Sequence, residues 1–156
     1  MRIPVAAVAA LLAWMLPAAA DGAVVQVDGT AAVFTAQPGE QNEPYIFGRA
    51  GGGITVAEFA APIEPGLGCH YTQDEHWIDC PGPIALVRVH LGDGDDFVQV
   101  DDLPAQAYGE DGHDYLQSAT ALPVRFEGGP GDDQLFSGDG ADVLIGGAGQ
   151  NDFRAE

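Results

Sequence analysis

Short apolar runs alternate with turn residues along most of this chain, and helical periodicity is confined to its first residues. Val24-Val25-Gln26-Val27, Ala31 to Ala36, Tyr45-Ile46-Phe47 and Ile54 to Phe59 are β-prone. Asp28-Gly29, Pro38-Gly39, Gly51-Gly52-Gly53 and Pro65-Gly66 punctuate them, so each run predicts a strand between turns. Ile84 to Leu91 is the clearest strand: Ala85, Val87, Val89 and Leu91 fall on one face, Arg88 and His90 on the other. Cys69 and Cys80 bracket Tyr71-Thr72-Gln73 and His76-Trp77-Ile78, which predicts a stapled hairpin or corner. Ile3 to Leu16 stands apart as a continuous apolar run. Met1-Arg2 precedes it, and Pro17 and Ala18-Ala19-Ala20 follow, the order of a secretory signal peptide cleaved before Asp21. The run is short for a membrane span, although an uncleaved anchor helix is the alternative.

From Gly92 the texture changes, and glycines recur at fixed offsets. The template is Gly-Gly-x-Gly-x-Asp-x-U-x, with U a large apolar residue. Gly128-Gly129-Pro130-Gly131-Asp132-Asp133-Gln134-Leu135-Phe136 fits it throughout. The stretch from Ser137 supplies Gly138, Asp139, Gly140, Asp142 and Leu144. The stretch from Gly146 supplies Gly147, Gly149 and Phe153, with Asn151 in place of the aspartate. Upstream, Leu91-Gly92-Asp93-Gly94-Asp95-Asp96-Phe97-Val98 lacks only the first glycine. Gly109-Glu110-Asp111-Gly112-His113-Asp114-Tyr115-Leu116 lacks only the second. Glycine lets the backbone turn where other residues cannot, aiming carbonyl oxygens inward, and the aspartate adds a carboxylate. Calcium takes six to eight hard oxygen ligands in flexible geometry, and such a loop offers them. A flexible acidic linker would not place Phe97/Val98, Leu116, Leu135, Leu144 and Phe153 at one offset after the glycines.

The segment from about Leu91 to Phe153 resembles the RTX, or haemolysin-type, calcium-binding repeat. The resemblance implies an all-β chain ending in a right-handed parallel β-roll, a solenoid in which two nonapeptides make one coil. Loops starting at 91, 109, 128 and 146 then share one edge, and the loop at 137 takes the other. The step of 19 residues between 109 and 128 implies one bulge. One edge is expected to carry up to three inter-coil sites and the other one at most. The family's ligand position falls on Asp96, Asp114, Asp133 and Asp142, with Asp93, Asp111 and Asp139 as second candidates and Asn151 as the weakest. Cys69, Cys80 and the strand that follows also resemble the front of exported bacterial calcium-binding proteins. That likeness makes Ile84 to Leu91 the first rung and the disulfide an N-terminal cap. The organisation expected is signal peptide 1–20, β-rich region 21–90 and roll 91–156. No capping segment is evident after the degenerate last repeat, so Asn151 to Glu156 is expected to fray unless relatives run longer.

Charge sharpens this picture. The 24 acidic residues face only five arginines and no lysine, giving a formal net charge of −19. Such a chain repels itself and will not bind nucleic acid or anionic membrane by charge. It needs cations to fold compactly or stays partly disordered. The cysteine pair in an exported chain favours a disulfide; a zinc site of Cys69, His70, His76 and Cys80 matches no common spacing. The glycine run at Gly51 has no following lysine, and Ser118 and Ser137 lack a nucleophile-elbow context. Two functions remain: a non-enzymatic exported module folded around Ca2+, or a small enzyme with its active site in residues 24–65. The polar candidates for the second are Glu40, Arg49, Glu43, Glu58 and Glu64, and a pocket lined by two of those glutamates would favour it. Protein or cell-surface partners are not specified by the sequence.

Overall fold

The computed structural model describes residues 22–155; the expected signal peptide, 1–20, lies outside them. The described chain is all-β. Its strands are β1 (Ala23–Asp28), β2 (Ala31–Thr35), β3 (Tyr45–Gly48), β4 (Ile54–Ala57), β5 (Ile63–Pro65), β6 (His70–Tyr71), β7 (Trp77–Cys80) and β8 (Leu86–His90). Then come β9 (Phe97–Asp101), β10 (Ala105–Tyr108), β11 (Tyr115–Gln117), β12 (Val124–Pro130), β13 (Gln134–Ser137), β14 (Val143–Ala148) and β15 (Asp152–Ala155).

From β8 the strands alternate between two sheets, and from β10 onward each pairs in parallel with the strand two before it. One sheet runs β14-β12-β10-β8-β2-β1-β5, the other β15-β13-β11-β9-β3-β4-β7-β6. This is the winding of a parallel β-roll: each coil crosses to the opposite sheet at a loop and returns at the next. Alternation along each strand decides what lies inside. Val87, Val89, Val98, Val100, Leu116, Phe126 and Leu135 point between the sheets and are buried. Their neighbours point outward. Outward aromatic residues stack along the ladder: Phe97 and Tyr115 are register partners, and Tyr45 and Phe136, which pair instead with Gln99 and Gln117, extend them into a column with ring centroids 5.3, 5.3 and 4.9 Å apart, with Arg154 5.2 Å over the last ring. Phe97 thus belongs to the outer column, and Val98 alone fills the apolar position of its repeat.

The bulge has a definite place. Strands β9 and β11 pair 18 residues apart (Phe97 with Tyr115), while β10 and β12 pair 19 apart (Ala105 with Val124). The additional residue therefore sits in the corner between Gln117 and Val124, at the edge of the roll opposite the first repeat loop.

The parallel stack begins earlier than Ile84. Strand β2 pairs in parallel with β8, and β3 with β9, so Ala31 to Gly48 is already a coil. Beyond it the pairing turns antiparallel through β1 on β2 in one sheet, which β5 then closes in parallel on β1, and through β4, β7 and β6 in the other. These strands cover the stack's N-terminal end, and Cys69–Cys80 ties the segment before β6 to the end of β7. Cys80 is fully buried in the common core. Closing so short a loop contributes ~2–3 kcal/mol in the chain-entropy description. The double variant Cys69→Ser/Cys80→Ser should lose about that much in denaturant unfolding; no loss would show the staple idle. At the other end, Asp152–Ala155 does not fray but pairs with β13. Leu144 is partly buried and Phe153 is 47% exposed, so the last repeat's apolar positions are less covered than those before.

Candidate metal-binding edge

The repeat loops stack because their glycines allow neighbouring main chains to touch. A β-carbon on Gly112 would strike the carbonyl oxygen of Gly94, and one on Gly131 would strike that of Gly112. Asp93 and Asp111 form a parallel bridge, with Gly94 N donating to Asp111 O and Asp111 N to Gly92 O, both at 2.9 Å. The second glycine of the template is left-handed at Gly92, Gly129 and Gly147, whereas Glu110 holds the same conformation (φ 72°) with a side chain. That conformation costs a non-glycine residue about 1 kcal/mol. Glu110→Gly should therefore raise stability by about 1 kcal/mol, less its exposed contact to His90; a melt that does not rise would contradict this.

Stacking aligns the expected ligand aspartates in a row. Asn42 N donates to Asp96 Oδ1 at 2.7 Å, Asp96 N to Asp114 Oδ1 at 3.0 Å, Asp114 N to Asp133 Oδ1 at 3.0 Å, and Asp133 N to Asn151 Oδ1 at 2.8 Å. Each carboxylate spends one oxygen on the coil before it. The other oxygen, Oδ2 of Asp96, Asp114 and Asp133, is buried without a hydrogen-bond partner. A buried carboxylate oxygen left so is costly unless a cation meets it.

The missing β-carbons of the first template glycine mark where such oxygens converge. Around that point at Gly109 lie Asp114 Oδ2 and the Gly128 carbonyl; at Gly128 lie Asp133 Oδ2 and the Gly146 carbonyl. One carboxylate oxygen and one carbonyl oxygen from successive coils thus share a space that a side chain would fill. Among the described residues no three His, Cys, Asp or Glu side chains gather at one point. The oxygens here are carboxylate plus main chain, the hard donor set calcium takes.

Electrostatics agree. Burial, partly offset by the Asn42 N–H and reinforced by the charges of Glu58, Asp93 and Asp95, pushes the metal-free Asp96 carboxyl up to about 6. Burial likewise raises Asp114 to about 7, with the Asp96 N–H opposing and the Asp96 and Asp133 charges adding to it. Asp133 is raised by burial too. Three carboxylates are held where each resists ionisation until positive charge arrives.

On the opposite edge Asp142 is, among the described residues, the one member of this kind, with Val124 N donating to its Oδ1 at 2.9 Å and Oδ2 buried without a partner. Its neighbouring corner, Ala119-Thr120-Ala121, brings no carboxylate, and Asp101 reaches that corner only to accept from Ala119 N at 3.3 Å. Asp93, Asp111 and Asp139 lie at exposed loop positions, and Asp93 Oδ1 accepts from Gly39 N at 2.7 Å.

Two features were not anticipated. A second, outer row runs beside the first: His113 N donates to Asp95 Oδ1, Asp132 N to His113 Nδ1, and Gln150 N to Asp132 Oδ1. Glu58 is fully buried at the N-terminal end, raised by desolvation, and its oxygens accept from the N–H groups of Glu43, Ala60 and Ala61. Those bonds make it a structural staple. A cleft of about 400 Å³ nearby is lined by Phe59, Glu64, Tyr71, Glu75 and His76 among others. Of the glutamates considered for catalysis it holds Glu64. The zinc alternative is closed because Cys69 and Cys80 are bonded to each other.

A parallel roll with an aligned, charge-starved row of loop carboxylates defines a calcium-binding β-roll. Residues 125–153 match the family model of the RTX calcium-binding nonapeptide repeat, described as four copies, and this segment is RTX repeat. Neither the curated proteins nor the solved structures compared with the chain give a match.

Proposed function

We propose that this is an exported calcium-binding protein, non-enzymatic, whose roll assembles around Ca2+ and serves as a surface or extracellular module. The observation that carries the reading is the row of buried, unpartnered Oδ2 atoms on Asp96, Asp114 and Asp133. Asp96, Asp114, Asp133 and the carbonyls of Gly128 and Gly146 would hold the ions. Calcium there supplies the positive charge that lets buried carboxylates ionise and binds successive coils together. The chain's own part is to hold the loops in register and keep water from the carboxylates through the strands on either side.

Export is supported by the pattern of residues 1–20 and by the disulfide, which suits an oxidising compartment. A non-enzymatic role is supported by Glu58, whose oxygens are taken by main-chain N–H groups rather than aimed into the cleft. The test is expression of the full gene in a bacterial host. The reading expects protein outside the cytoplasm beginning at Asp21, calcium-dependent in its fold. Cytoplasmic retention with Met1 in place would contradict export. Any activity abolished by Glu64→Gln but not by Asp114→Asn would install the enzyme reading instead.

A further inference from the structure

The row of loop side chains begins before the repeats. Residues Gln37 to Asn42 carry no nonapeptide motif, yet they stack on the loop 91–96 as one repeat loop stacks on the next. Gly39 N donates to Asp93 Oδ1 at 2.7 Å, Asn42 N to Asp96 Oδ1 at 2.7 Å, and Phe97 N to Asn42 O at 2.9 Å. The Glu40 carbonyl lies against Gly94 as the Gly94 carbonyl lies against Gly112. Asn42 precedes Asp96 by 54 residues yet is its immediate neighbour in the row.

Asn42 is fully buried, and neither its Oδ1 nor its Nδ2 has a hydrogen-bond partner. Leaving a buried amide so is costly, because nothing replaces the water it gave up. Glu58 accepts from the Glu43, Ala60 and Ala61 N–H groups and takes no hydrogen bond from the Asn42 amide. On the other side Asp96 Oδ2 is also buried and unpartnered. The Glu40 carbonyl oxygen and the two Asp96 carboxylate oxygens lie 2.6, 3.4 and 3.6 Å from the place a β-carbon of Gly94 would take. Three oxygens from two loops therefore face one space, with an unsatisfied amide beside them.

We propose that a divalent cation, calcium, is also held at this end, between the loop 37–42 and the loop 91–96, with Asn42 Oδ1 and Asp96 Oδ2 as side-chain ligands and main-chain carbonyl support from Glu40. The inference rests on the calcium reading of the row and extends it to a segment without the repeat. It makes the ion count one higher than the repeat motifs alone imply.

Calorimetric titration of calcium into the chelator-stripped chain tests it, comparing wild type with Asn42→Leu and Asn42→Asp. Asn42→Leu should bind one ion fewer, the remaining sites keeping their affinity. Asn42→Asp should keep the wild-type count and tighten one site by about tenfold, as added ligand charge does in calcium loops. An unchanged count in Asn42→Leu would overturn the proposal and leave Asn42 to a buried water. If Asn42→Leu fails to fold in calcium, Asn42→Asp decides, and an unchanged isotherm overturns the proposal. Wild type that binds no calcium sinks the parent reading; wild type that binds it while both variants titrate identically sinks only this site.

Discussion

Stripped of calcium at pH 8, the chain should lose most of the ordered strand signal of its repeat half, and restoring calcium should return it. The formal net charge of −19 and the row of buried carboxylates set the direction. One ion at a hundredfold excess over its Kd adds ~2.7 kcal/mol. Three such ions add ~8 kcal/mol, comparable with the ~5–15 kcal/mol that holds an ordinary domain together. Removing them consumes most of that margin. Lowering the pH should partly replace the metal. An unfolded aspartate titrates near its ordinary value, 3.8, whereas the folded, metal-free chain keeps the Asp96 proton up to about 6 and the Asp114 proton up to about 7. The folded state therefore holds protons more tightly than the unfolded one. That contribution to stability is complete below about pH 4, is lost as pH rises through 6 to 7, and stays lost above. Chelated protein should melt higher at pH 5 than at pH 8, and calcium affinity should climb across the same interval because binding expels those protons. Circular dichroism melts at both pH values, with and without chelator, read this directly. Identical melts in all four conditions would refute it.

Asp114→Ala should be the most damaging single substitution on the edge. Asp114 stands mid-row. Its Oδ1 accepts the buried Asp96 N–H, so its loss leaves a donor unsatisfied at a cost of about 1–3 kcal/mol. Its Oδ2 is withdrawn from the space shared with the Gly128 carbonyl. Both neighbouring inter-coil positions are affected, and calcium affinity should fall at least about tenfold as ligand charge is lost. Glu75→Gln removes one charge from an exposed position away from the loops and should stay within about 0.5 kcal/mol of wild type. The contrast separates lost ligation from relieved repulsion. Equal effects from the two variants would mean that the row acts only through bulk charge.

The strands were legible wherever alternation was strong, as at Val87-Arg88-Val89, and the edge was legible wherever glycines and aspartate kept their spacing. Asp96, Asp114 and Asp133 fall in the row that their spacing implies, and Asp142 falls on the other edge. What was hidden was hidden for physical reasons. The first coil's loop, Gln37 to Asn42, has Glu40 where the repeats have a glycine, and an excursion through β4–β7 separates it from its neighbour. Strand β10 reads as Ala-Gln-Ala-Tyr, too small and mixed to announce itself, yet Ala105 and Ala107 are buried between the sheets. Phe97 looked like core because it is large and apolar, but parity along the strand sends it outward to stack on Tyr45 and Tyr115.

The most direct measurement is a crystal structure of the calcium-loaded protein with anomalous scattering recorded for the metal. The account predicts a file of calcium peaks along one edge of the roll, each touching an oxygen of Asp96, Asp114 or Asp133. Peaks confined to other surfaces, or these carboxylates splayed into solvent with no metal between them, would contradict it.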